Sequence, residues 1–131
     1  MKQQIAWLAV FCLSLPGAAL ARGVSGSERM LCAVTEVLEC PFEEACIRQT
    51  AEGIALPAFL VIDPKAKMLL EYQGERKTPV QTVYERDGHV VLQGYEKRAW
   101  SISISKETGR ASVAATEADV GLVIFGVCTD L

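Results

Sequence analysis

The sequence predicts an all-β domain, an antiparallel up-and-down barrel of eight or nine strands, with a two-sheet β-sandwich as the alternative. Three observations carry this prediction. Runs such as Trp100-Ser101-Ile102-Ser103-Ile104-Ser105 alternate apolar and polar residues, the period-two signature of a strand with one buried face. Short turns rich in Gly, Pro and Asp separate the runs, and turns of two to five residues permit only antiparallel pairing. Finally, Gly121-Leu122-Val123-Ile124-Phe125-Gly126-Val127-Cys128 is an apolar run of strand length near the C-terminus, closed by a cysteine. A last strand of this kind needs cover on its faces or partners on its edges.

The first 21 residues read as a secretory leader outside the fold. Lys2 supplies a basic start, Ile5 to Leu15 is uncharged and apolar, Pro16-Gly17 breaks the run, and Ala19-Leu20-Ala21 offers small residues for cleavage before Arg22. The apolar run is too short for a membrane anchor, which needs roughly 20 residues. Cys12 follows Ala9-Val10-Phe11, a poor lipidation context. Of 131 residues 110 then remain, and with Lys2 gone the net charge moves from −3 to −4. No Lys/Arg cluster is present to meet phosphates, so nucleic acid is not an expected partner. The expected location is periplasmic or secreted, with no stable membrane anchor after cleavage.

Four cysteines remain: Cys32, Cys40, Cys46 and Cys128. An even count in an exported chain reads as two disulfides, with three possible connectivities. The close spacing of Cys40 and Cys46 suits a clamp across a turn, which leaves Cys32 with Cys128. Closing roughly 100 residues contributes about 4 to 5 kcal/mol in the loop-entropy account. Without a C-x-x-C and with a single histidine, a redox or metal site is disfavoured.

Residues 22–28 form a Gly/Ser-rich flexible lead, and 29–131 a single β-domain. Arg29 to Leu38 reads as the first strand, with a short helix as its rival. Cys40 to Cys46 is a pinned turn, Ile47 to Thr50 a short second strand, and Ala51-Glu52-Gly53 its punctuation. Leu56 to Ile62 and Met68 to Tyr72 flank an Asp63-Pro64 turn, in which proline fixes φ and aspartate bonds back to the backbone. Gln73 to Pro79 reads as the longest loop. Val80 to Arg86 and His89 to Gly94 flank Asp87-Gly88, the strongest hairpin signal. Trp100 to Ser105 places Trp100, Ile102 and Ile104 toward the core. Lys106 to Gly109 turns the chain into Arg110 to Ala115, and Thr116 to Val120 leads to the last strand. Such a meander brings the first and last strands together, where Cys32 and Cys128 can join them, and Gly126 permits the bend or close approach required there.

Few residues are placed for chemistry. His89 follows a tight turn and reads as a solvent-facing strand residue, lacking a nucleophile and an orienting acid. The carboxylates are spread over turns, and no phosphate-cradling loop occurs. No enzyme activity, metal or cofactor is therefore expected. Aromatic residues offer more, because an eight-strand barrel can hold one small ligand or be filled by its own side chains. Trp100, Tyr95, Arg98, Arg76 and Tyr84 are the candidate ligand or partner contacts, Trp100 on an apolar strand face and the others on charged or turn-flanking segments.

The stretch from Cys32-Ala33-Val34-Thr35-Glu36 through Leu56-Pro57-Ala58-Phe59, Leu92-Gln93-Gly94, Trp100 and Thr108-Gly109 to Phe125-Gly126-Val127-Cys128-Thr129 resembles a family of small exported bacterial proteins of unknown function. The resemblance spans nearly the whole domain and implies export and a disulfide-containing β-domain, but no activity. In architecture alone, the domain is also similar to periplasmic lysozyme inhibitors of the membrane-associated type; no residue of their inhibitory motif is matched. The expected function is a binding or inhibitor module acting on an envelope protein through exposed loops. The alternative is a carrier for a small apolar ligand in a cavity lined by Trp100.

Overall fold

The computed structural model describes residues 23–131, so the secretory leader, its cleavage before Arg22 and Cys12 lie outside the described residues. Ten strands form one antiparallel sheet: β1 (Met30–Pro41), β2 (Ile47–Gln49), β3 (Phe59–Asp63), β4 (Met68–Glu71), β5 (Lys77–Pro79), β6 (Thr82–Arg86), β7 (His89–Glu96), β8 (Arg98–Ser105), β9 (Arg110–Thr116) and β10 (Val120–Asp130). Nine of them follow the order β5-β4-β3-β1-β10-β9-β8-β7-β6, while β2 pairs with the upper half of β1. This is the up-and-down meander, curled into a half-barrel, and the sandwich alternative is set aside because the strands belong to one sheet.

The long strands β1 and β10 form the spine. Their register runs from Met30 opposite Asp130 to Pro41 opposite Val120, with one bulge between Val34 and Glu36. Cys32 lies directly opposite Cys128, and the two are joined; Cys40 and Cys46 form the second disulfide. Both pairings agree with the cysteine spacing. An added methyl on Gly126 would sit 2.6 Å from the Ala33 carbonyl oxygen, so glycine permits the close approach of β10 to β1.

The ends of the sheet order meet in an unexpected way. Lys77–Pro79, inside the stretch read as the longest loop, is a short strand paired with β4. Only Val80 and Gln81 separate it from β6, which pairs with β7. Val80 N donates to the Lys67 carbonyl on one side, and Gln81 N donates to the Gln93 carbonyl on the other. One bent run of chain thus bridges the two ends of the curled sheet. The proline, glycine and charges around it hid this strand, because three residues are too few to display a period.

At one end of the half-barrel, Asp87 and Gly88 both take positive φ (49° and 74°), as a two-residue hairpin between Arg86 and His89 requires. The described part of the lead covers the same end. Val24 N donates to the Lys106 carbonyl, and the Val24 side chain is 4% exposed within the apolar core. That core contains Met30, Ile62, Val90, Leu92 and Ile104, all inward members of alternating strands. A smaller cluster of Val37, Ala115, Leu122 and Ile124 lies toward the other end. The Ala51–Gly53 punctuation is a single 3-10 turn, Glu52–Ile54, closed by Ala55 with φ 54°.

Candidate functional site

Period-two alternation sends Ile102 and Trp100 of β8 into the lumen beside Cys32 of β1 and Cys128 of β10. These residues do not fill it. A cavity of about 400 Å³ opens between the two apolar clusters, and its lining is mostly apolar. The Cys32–Cys128 bridge lines its inner part together with Ile62, Leu69 and Ala111. Val24, Met30, Val90, Leu92 and Ile104 pack together in the larger cluster, apart from the residues that line the cavity.

Trp100 occupies the junction. It is half-buried and packs against both apolar clusters. Directly across the ladder it faces Gly94 of β7, and a methyl added there would lie 2.2 Å from indole Cζ2. The absence of a side chain on Gly94 lets the indole lie against the β7 backbone and form a wall of the cavity.

The open end is made by loops. Ile54, Leu56 and Pro57, around the 3-10 turn, lean over the cavity, and Ile54 and Leu56 pack on the smaller cluster. Arg76, in the turn between β4 and β5, donates from Nη1 to the Ala55 carbonyl at 3.0 Å and ties that turn to the loop. Thr78 of β5 donates its hydroxyl to the Glu96 carboxylate at the end of β7. Beside it, Arg98 at the start of β8, the cross-strand partner of Glu96, meets Glu117 between β9 and β10, with Nε 3.1 Å from Oε1. The distance makes an ion pair, but the Nε–H is not aligned with that oxygen: Nε is itself buried and has no hydrogen-bond acceptor among the described residues. The contact is therefore Coulombic.

The five candidate contacts separate. Trp100, Arg98 and Arg76 come together around the cavity. Tyr95 is 64% exposed and Tyr84 45% exposed, and neither lines it. His89 lies in the exposed hairpin end with Nδ1 2.9 Å from its neighbour Asp87's carbonyl oxygen. No group of three or more His, Cys, Asp or Glu side chains able to hold a metal occurs among the described residues. Glu117, Gly94 and the Ile54–Pro57 loop escape a reading of the sequence. The loop is aperiodic, Glu117 sits in an ordinary polar turn, and the signal for Gly94 lies only in its cross-strand register with Trp100.

A second surface feature stands apart from the cavity. The Cys40–Cys46 loop carries Phe42 at 67% exposure, and Phe42 N donates to the Asp119 carbonyl at 2.8 Å. A disulfide and a backbone bond thus hold a bare aromatic ring in place. Compared with known proteins, the chain matches no family model, and no curated protein or solved structure is significantly similar to it.

Proposed function

We propose that this is an exported, non-enzymatic binding protein that takes a small apolar ligand into the lumen of its half-barrel. The observation that carries the reading is the apolar cavity of about 400 Å³ walled by Trp100. Small-molecule sites run to about 300–1,000 Å³ and combine apolar walls with a few polar groups, and this cavity has both. The two disulfides support an oxidising, extracellular compartment. The leader read from residues 1–21 refines that to the periplasm or the medium.

Trp100 supplies the test. In a chain carrying Trp7→Phe, Trp100 is the remaining tryptophan and reports on the cavity. Apolar ligands should shift its emission and raise the melting temperature, and Trp100→Ala should weaken the thermal effect. Unchanged emission and melting across a panel of lipids and metabolites would remove the reading.

The pinned Phe42 ring favours a second reading, an inhibitor or docking module that inserts this loop into an envelope protein. Buried aromatic anchors dominate many interfaces, and the disulfide lowers the ordering cost of presenting one. Under that reading Phe42→Ser abolishes capture of the envelope partner while ligand binding to the lumen is unchanged; capture that survives Phe42→Ser excludes it.

A further inference from the structure

We infer that the lumen takes a ligand bearing a flat aromatic ring, stacked offset on the inward face of the Trp100 indole. This rests on the lumen reading above and adds the ligand's chemical class and the surface that recognises it. The observation behind it is the way the indole lies on β7. Val90, Leu92 and Gly94 are the buried, inward members of that strand, so a methyl on Gly94 would point into the half-barrel. Such a methyl would stand 2.2 Å from indole Cζ2, 2.7 Å from Cε2 and 2.9 Å from Cη2, three consecutive atoms of the six-membered ring. A point in the plane of the ring, outside its Cζ2 corner, could not be this near both flanking atoms. The methyl position therefore falls over the face of the ring, and the indole lies flat against the bare β7 backbone.

One face of the indole is thus covered by β7. The residue still lines the cavity, and what it offers there is the opposite face. Cys32, Leu60 and Ile62 line the same cavity from β1 and β3, three and four strands along the sheet from β8, and so stand across the space from it. An aliphatic side chain at position 100 would give the wall the same apolar character. An indole adds a π face of negative sign, which attracts the positive edge of an offset or edge-on aromatic ring. Burial of apolar area is shared by any apolar ligand, whereas this contact is open only to a ring, so it sets selectivity. The cavity of about 400 Å³ lies at the small end of the range for ligand sites, which suits a compact system of a few fused rings.

The test compares 2-naphthol with decahydro-2-naphthol, which share a skeleton and a hydroxyl and differ in the flat π system. Affinities are measured by calorimetry on the full chain carrying Trp7→Phe, and the bound ligands are observed by proton NMR. The ring protons of bound 2-naphthol should move upfield under the indole ring current. Trp100→Leu should abolish that shift and lower the ratio of naphthol to decahydronaphthol affinity about two- to tenfold, the scale of one aromatic pair. Trp100→Phe, which keeps a ring face in place, should hold most of the ratio. Gly94→Ala, which pushes the indole off β7, should lower the ratio while the tryptophan remains, and it serves if Trp100→Leu does not fold. Bound naphthol without an upfield shift, or a ratio unchanged in a folded Trp100→Leu chain, overturns the stacking assignment while the lumen site stands. Trp100 would then be a packing partner of Gly94 alone. If neither alcohol binds, the stack is overturned as well, and the wider ligand panel decides the lumen reading separately.

Discussion

Removing the Cys32–Cys128 bridge as the double substitution Cys32→Ala/Cys128→Ala tests how the domain is held together. The two disulfides differ chiefly in the chain they close: the cysteines are 96 residues apart in one and 6 in the other. In the loop-entropy account the long closure contributes about 4.7 kcal/mol and the short one about 2.2 kcal/mol. The difference, 1.5RT ln(96/6), is about 2.5 kcal/mol. Burial adds to it, because Cys128 is 1% exposed and Cys32 8%, whereas Cys46 is on the surface. Small domains have total stabilities of about 5–15 kcal/mol, so the long-loop variant should be left close to its unfolding threshold. Urea denaturation of the parent, Cys32→Ala/Cys128→Ala and Cys40→Ala/Cys46→Ala, each followed by tryptophan emission and far-ultraviolet circular dichroism, compares them directly. The long-loop pair should lose at least about 2 kcal/mol more than the short-loop pair. Equal losses would refute the reasoning, because strand register alone would then hold β1 to β10 without help from the crosslink.

Other outcomes follow from single contacts. Leu92 is fully buried at 0% exposure, and Leu92→Ala should cost about 2–5 kcal/mol in the same denaturation assay. Gly94→Ala should displace the Trp100 indole at a cost of about 1–3 kcal/mol, with a shifted tryptophan emission maximum marking the displacement. Gly88→Ala, at φ 74° with open space around it, should cost only about 1 kcal/mol, because the penalty there is backbone strain without a clash. Arg98→Met, which removes a half-exposed ion pair, should change thermal stability by no more than about 1 kcal/mol.

Where the chain repeats a simple physical pattern, the fold was legible. Trp100 to Ser105 announces its inward face by strict alternation, Asp87-Gly88 announces a turn that needs two positive φ values, and the cysteine spacing leaves one natural pairing. Each signal is local or depends on counting. The strand Lys77–Pro79 was missed because its place is set by β4 on one side and its continuity with β6 on the other. The lead through Val24 is Gly/Ser-rich in composition, yet a single valine seats it on the core. Trp100, Arg98 and Arg76 stand out as candidate contacts by residue type, and curling of the sheet brings them to the lining of one cavity. Tyr95 and Tyr84 share their chemistry but point elsewhere. Glu117 and Gly94 matter through partners 19 and 6 positions away in the chain, Arg98 and Trp100, a relation that composition does not encode.

The bent run through Val80 and Gln81 also bears on how this protein avoids its own copies. Open sheets expose rows of unpaired backbone groups that recruit strands from other molecules, and long flat edges are the usual starting points of aggregation. Here the two outer strands of the sheet order are β5, three residues long and ending in Pro79, and β6, whose tip carries Glu85 and Arg86. Proline offers no N–H to an incoming strand, and the charged tip disfavours a neighbour of the same kind. Because both edges belong to one stretch of ten residues, Lys77 to Arg86, a few substitutions there would govern colloidal behaviour without touching the core. Replacing Pro79 by valine and Glu85 by threonine should leave the monomer folded and make it self-associate, which light scattering at rising concentration would register.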